Sequence, residues 1–173
     1  MNQSSFCIDS ELIHEAETLV ELLRARRLTV ITAESCTGGL IAAALSHARG
    51  ASDALHGGFV VYTKDCKAVA LGVDRELLDR MGSVNAQVAH ELARGAMEHS
   101  TADIAVAVTG VLGPDPDEDD NPPGQVYFGL ARRGHDPRVF AQHFSRDDPN
   151  EVRRAVVLRA FEVLREAVYE QSQ

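Results

Sequence analysis

Apolar and polar positions alternate along this chain in two distinct periods. Leu12, Ala16, Leu19, Val20 and Leu23 recur at helical spacing, and Asp9 or Ser10 can cap the helix they predict. A β-branched run over 28–33 predicts a strand, and the Ala/Leu-rich stretch from 37 to about 47 predicts a second helix. After a turn at 49–52, Gly57 and Gly58 precede a second strand over 59–62. A short helix is expected over 65–71, closed by Gly72. Asp74 caps another through Met81, closed by Gly82. Asn85 caps a longer helix with Val88, Leu92, Ala96 and Met97 inward. Residues 103–108 read as a buried strand ending at Thr109 and Gly110. Residues 126–131 and 138–144 form an antiparallel pair joined at 133–136. A last helix runs from about 150 to 168, with Val152, Val156, Phe161, Leu164 and Val168 inward.

The order is α-β-α-β-α-α-α-β-β-β-α. Early alternation favours parallel pairing and the later meander favours antiparallel pairing. Together they predict an α/β fold: a single three-layer α/β/α domain with a mixed parallel and antiparallel sheet, spanning residues 8–170. At 173 residues and 45% hydrophobic content the chain can bury a core. There is no internal repeat and no interdomain linker. Residues 1–7, the 114–123 stretch and the last few residues read as loosely held.

Composition narrows the partners. No run reaches the ~20 apolar residues of a membrane span. Residues 1–7 lack a basic n-region and an apolar h-region, so no signal peptide is expected. Cys7, Cys36 and Cys66 show no close pairing, which fits a reducing cytoplasm. The seven histidines are scattered, so no zinc site is expected. A formal net charge of −9 disfavours nucleic acid, because neutralising phosphates needs a basic face. Arg24, Arg26 and Arg27 cluster where cations favour the end of the first helix, a structural placement.

Candidate chemistry gathers at strand ends. Ser35, Thr37, Gly38 and Gly39 follow the first strand, where a tight turn exposes a hydroxyl beside free N–H groups. The alternative is that Ser35 or Thr37 only caps the helix. Lys67 lies one turn into the helix after the second strand, and a desolvated lysine can take a proton from a serine. Tyr62 could relay that proton or orient the amine. The alternatives are a surface Lys67, Lys64 in the same role, and a Tyr62 with a wet hydroxyl. Cys36 is a rival nucleophile but reads as a small packed residue. Glu34 fits either a substrate contact or a carboxylate that stabilises the turn.

The run Ala33-Glu34-Ser35-Cys36-Thr37-Gly38-Gly39-Leu40 resembles the signature of the CinA C-terminal domain family, the nicotinamide-nucleotide amidohydrolases of PncC type. Further segments agree in order: Gly58 to Thr63 with Lys67, Leu71-Gly72-Val73, Gly82-Ser83-Val84, Ala107 to Gly110, Gly113-Pro114, and Pro123 to Tyr127. The resemblance covers roughly residues 10 to 168. It implies hydrolysis of nicotinamide mononucleotide to nicotinate mononucleotide and ammonia, with no metal and no cofactor. Carried over, Ser35 would be the nucleophile, Lys67 the general base, and Tyr62 would complete the constellation. N–H groups around Thr37, Gly38 and Gly39 would hold the oxyanion, and Thr109 and Gly110 would line the nucleotide side. The phosphate would meet helix N-terminal amides or an Arg. A small-molecule nucleotide substrate, no nucleic acid or membrane partner, and a homodimer are implied. A non-catalytic nucleotide-binding module, or an amidase for a related substrate, remains the alternative.

The chain departs from that pattern in three places. Residues 115–121 carry five carboxylates where the family is usually glycine-rich, which would weaken binding of an anionic nucleotide. Ser83 stands where Ala is usual. Thr63-Lys64-Asp65-Cys66 replaces the more common Ser-Asn-Glu-Ala, and Lys64 would lower the Lys67 pKa by like-charge proximity.

Overall fold

The computed structural model describes residues 8–145 and 148–170. The readings of residues 1–7 and of the last three residues lie outside the described residues. The elements are α1 (Ser10–Arg26), β1 (Val30–Glu34), α2 (Leu40–His47), β2 (Leu55–Val60), α3 (Lys64–Leu71), α4 (Arg75–Met81), α5 (Ala86–Glu98), β3 (Ile104–Gly110), β4 (Gln125–Arg132), β5 (Arg138–His143) and α6 (Pro149–Glu170). A single 3-10 turn (Ala51–Asp53) leads into β2. The expected order holds throughout.

The five strands lie in the order β2-β1-β3-β4-β5. β1 pairs in parallel with β2 and β3, while β3–β4 and β4–β5 are antiparallel. The sheet is therefore mixed, as the alternation followed by a meander requires. Side chains on β3 sort by the two-residue period. Ile104, Val106 and Val108 face a core shared with α1, α2 and α6. Ala105 and Ala107 face the opposite core, which α3, α4 and α5 close. Small residues on that second face let α5 come close to the sheet. A Cβ on Gly129 of β4 would lie 2.2 Å from the Ala89 carbonyl oxygen of α5.

The caps follow the sequence reading. Asp9 accepts from the Glu11 N–H, Asp74 from Glu76, and Asn85 from Val88. The inward positions expected on α1, α5 and α6 are buried. Three boundaries differ, one of them the end of β2, which stops at Val60 and leaves Val61 and Tyr62 outside the strand. Residues 37–39 stay outside α2, because Gly38 and Gly39 take φ of +63° and +95°, which breaks the helical path. Gly57 and Gly58 belong to β2 rather than preceding it. At Gly58 a Cβ would meet the Thr32 hydroxyl at 2.5 Å and Ala42 at 3.0 Å, so bare backbone lets β1, β2 and α2 pack together.

The 114–123 stretch is not loosely held. The Asp117 carboxylate accepts from the N–H groups of Asp119 and Asn121 and from the Asn121 amide. Lys64 bridges to Glu118 and Asp119. No helix among the described residues is long and apolar enough to cross a membrane.

Gly129→Ala forces α5 off the sheet or bends β4. Urea unfolding is expected to show a loss of about 1–3 kcal/mol; an unchanged midpoint would contradict so close a seat.

Candidate active site

β1 ends at Glu34, and its neighbours hold the next residue in line. The Ser35 N–H donates to the Val108 carbonyl at 3.0 Å, and Val61 N–H donates to the Glu34 carbonyl at 2.8 Å. The chain then turns sharply through 35–39 into α2. Strand ends on a parallel sheet converge on one edge, and that edge carries the site.

Glu34 is fully buried. Its Oε1 accepts from the Thr32 hydroxyl (3.0 Å) and Ala42 N–H (2.8 Å), and its Oε2 from the Thr37 hydroxyl (2.8 Å) and Ile41 N–H (2.9 Å). Four donors satisfy a carboxylate that has no access to water. Of the two readings left open for Glu34, the structure displays the turn-stabilising one. It occupies the amides that open α2, so those N–H groups are not open to a phosphate.

Lys67 is wholly buried and Ser35 is 7% exposed. Lys67 Nζ lies 2.8 Å from Ser35 Oγ, 3.0 Å from the Val61 carbonyl and 3.2 Å from the Tyr62 carbonyl. Burial lowers its pKa from 10.5 to about 8. Lys64 does not cause this shift, since it sits in its own ion pairs. Those pairs, Glu118 first, hold the Lys64 ammonium above its ordinary range, which makes it a poor rival for the role of base.

The other expected residues separate into two groups. Among the described residues, the N–H groups of Thr37 and Gly39 find no internal hydrogen-bond acceptor, whereas Gly38 N–H donates to the Ser35 carbonyl at 3.1 Å. Gly38 is therefore partly committed to closing the turn. The Tyr62 side chain is 72% exposed. Its contact with Lys67 runs through the main-chain carbonyl, so the phenol is not placed as a relay between Lys67 and Ser35. Thr109 is buried and donates to the Ser83 carbonyl at 2.8 Å, tying the end of β3 to the 82–84 turn. Gly110 does line the cavity, and a Cβ there would meet the Gln125 carbonyl at 2.7 Å. Burial pushes the Cys36 thiol up to about 12, which leaves it protonated and inert.

A cavity of about 700 Å³ opens over Ser35 between Tyr62, Ser83, Gly110, Glu118 and Arg153. A second, of about 570 Å³, adjoins it across Cys36, Tyr62 and Arg153 and runs along Thr37, Gly38 and Gly39. Sequence reasoning could not choose an arginine. The fold separates two of them at the cavities. Arg154 is engaged by Asp9, at 2.5 Å, and by Glu11, whereas Arg153 lines both cavities and, among the described residues, has only Asn150 at 3.0 Å as a side-chain partner. No local pattern marks Arg153, because α6 reaches the site from the far end of the chain.

Sheet order and layers define a three-layer α/β protein with a cavity at the carboxyl edge of the parallel strands, the edge where such folds commonly bind ligands. Within that class the chain belongs to the CinA C-terminal domain family, whose profile matches residues 13–168. The nicotinamide-nucleotide amidohydrolase PncC of Escherichia coli K12 is 38% identical over 156 residues, 90% of this chain and 94% of that protein. A CinA-like protein of Chlorobium phaeovibrioides is 45% identical over 117 residues, 68% of this chain but 27% of that protein. The chain thus spans only about a quarter of that longer relative. Among solved structures, the competence/damage inducible protein CihA of Agrobacterium tumefaciens superposes with a TM-score of 0.87 at 36% identity, covering 95% of this chain and 99% of that one. A CinA superfamily protein of Escherichia coli gives 0.83 at 32% identity, covering 100% and 99%.

Two outcomes test this geometry. Glu34→Gln turns one acceptor oxygen into a donor that faces an α2 amide, and a loss of about 1–3 kcal/mol is expected in chemical unfolding; full stability would mean that the four bonds are dispensable. Lys67 binds a proton more weakly folded than unfolded, so between pH 8 and 10.5 the unfolded chain holds the extra proton. Stability relative to Lys67→Met should therefore rise across that window, by on the order of 3 kcal/mol. Parallel pH curves for the two proteins would rule out the depressed pKa.

Proposed function

We propose that this chain hydrolyses the carboxamide of nicotinamide mononucleotide to nicotinate mononucleotide and ammonia, with Ser35 as nucleophile and Lys67 as base. The observation that carries the reading is the buried contact of 2.8 Å between Lys67 Nζ and Ser35 Oγ. Likeness to PncC, a protein named as nicotinamide-nucleotide amidohydrolase and matched over 90% of this chain, supports the substrate class.

The surroundings of Lys67 suit the role. In its neutral form the amine has two hydrogens and one lone pair. The Val61 and Tyr62 carbonyls accept the two hydrogens, which turns the lone pair toward Ser35 Oγ. A pKa near 8 leaves a useful neutral fraction at physiological pH. Lys67 takes the Ser35 proton as Oγ bonds to the carboxamide carbon. The oxyanion forms beside the unpaired N–H groups of the 36–39 turn, a donor type worth ~3–4 kcal/mol each. The Lys67 ammonium then protonates the departing nitrogen, and the C–N bond breaks to release ammonia. Water, deprotonated by Lys67, attacks the acyl-Ser35 ester and frees the carboxylate and the serine. Arg153 is the group we assign to the phosphate, as the guanidinium shared by both cavities.

The same reading carries a cytoplasmic, homodimeric protein. Cys36 and Cys66 are free thiols, as a reducing compartment allows. Sedimentation velocity tests the dimer.

Ammonia release from nicotinamide mononucleotide is expected from the parent protein, with kcat/KM rising through an apparent pKa near 8. Ser35→Ala and Lys67→Met should each lower kcat by at least ~1,000-fold. Nucleotide binding without ammonia release by the parent would instead identify a binding module.

A further inference from the structure

Two departures from the family pattern, Lys64 and the acidic 115–121 stretch, lie apart in sequence and meet in space. Lys64 opens α3, and its Nζ stands 3.0 Å from Glu118 Oε1 and 3.3 Å from the Asp119 carboxylate. Glu118 stands at the open rim, and Asp119 lies deeper. The side chains of Lys64 and Asp119 are only 29% and 26% exposed. Asp119 packs against Gly82, where any Cβ would come within 2.2 Å of its carboxylate. The 82–84 turn is itself fixed by the Thr109 hydroxyl. The 115–121 stretch is therefore held between α3 and the 82–84 turn.

The charge of that wall faces the nucleophile. Lys64, Asp65, Asp117, Glu118 and Arg153 all line the cavity that contains Ser35. Asp65 is paired with Arg75 at 2.8 Å. Asp117 holds its own turn, accepting from the N–H groups of Asp119 and Asn121. The cavity thus carries acidic groups that would repel an anionic substrate, and one ammonium placed to offset them.

We propose that Lys64 is a specificity-determining residue: by offsetting one of the two charges of Glu118 and Asp119 it admits a phosphate-bearing carboxamide that the acidic wall would otherwise reject in favour of its uncharged-tail riboside. The inference rests on the proposed amidohydrolase reading for its choice of ligands. The mononucleotide carries phosphate charge and the riboside does not, while their rings are alike. Removing Lys64 adds one unit of negative charge to the wall and penalises only the phosphate-bearing ligand. Loss of packing or of loop order would penalise both.

The test is calorimetric binding of nicotinamide mononucleotide and nicotinamide riboside to Ser35→Ala protein, which cannot turn either over by the proposed route. Adding Lys64→Met should shift the ratio of the two dissociation constants about fivefold toward the riboside, as one unit charge several ångströms away in a partly wet cavity would do. High salt should shrink the shift. Adding Glu118→Gln to Lys64→Met, one carboxylate for one ammonium, should return the ratio to its starting value. An unchanged ratio with Lys64→Met, or equal weakening of both ligands, overturns the proposal, as does failure of the compensating substitution. A shifted and rescued ratio in a protein whose Ser35 form releases no ammonia would sink the hydrolase reading and leave this one standing. Binding of neither ligand would sink both.

Discussion

The Glu34 carboxylate sits where β1 runs out of sheet, sealed from water and ringed by four donors. A buried charge is tolerable only with such partners. Here the partners come from three places: the strand itself through Thr32, the turn through Thr37, and the first turn of α2 through Ile41 and Ala42. One side chain thereby joins strand, turn and helix at a fixed angle. The left-handed glycines at 38 and 39 let the backbone follow that angle. Ser35, between the anchored strand and the anchored turn, has little freedom to move. The α2 amides that might have served an anion are occupied instead, so the helix end acts as scaffold and the unpaired N–H groups lie earlier, in the turn.

Lys67 depends on that scaffold. Its amine reaches the end of β1 because α3 starts just after β2, the parallel neighbour of β1. Three oxygens surround Nζ and water does not, so neutral and charged forms lie close in energy. The same burial that depresses this pKa raises that of Cys36, because each loses its charged form to desolvation. Two neighbouring groups are thus separated in reactivity by a single physical cause. The amine becomes a base and the thiol becomes core.

The acidic stretch at 115–121 reads differently in isolation and in place. As sequence it is a run of carboxylates and prolines of the kind that solvent usually holds. In the fold, Asp117 binds the turn from within, and Glu118 and Asp119 close on Lys64. Charge that would repel along the chain is compensated across it. Tyr62 shows the reverse. Its position invites a role for the phenol, but in the connection after β2 the ring is exposed and only the carbonyl meets Lys67.

Periodicity and caps determined the elements and their order, because those depend on contacts within a few residues. Leu12 to Leu23, Val88 to Met97 and Val152 to Val168 announced their buried faces, and Asp9, Asp74 and Asn85 their helix starts. The strand–turn–helix at Ser35 and the lysine after β2 were legible for the same reason: each is a local pattern with a local cause. Which groups meet was decided only by the tertiary structure. Glu34 as a cap for α2, the phenol of Tyr62 facing out, Thr109 turned to Ser83, the partnership of Lys64 with the acidic stretch, and Arg153 arriving on α6 all join residues that the chain keeps apart. Such contacts arise from sheet order and layer packing, and neither is written in the spacing of neighbouring side chains.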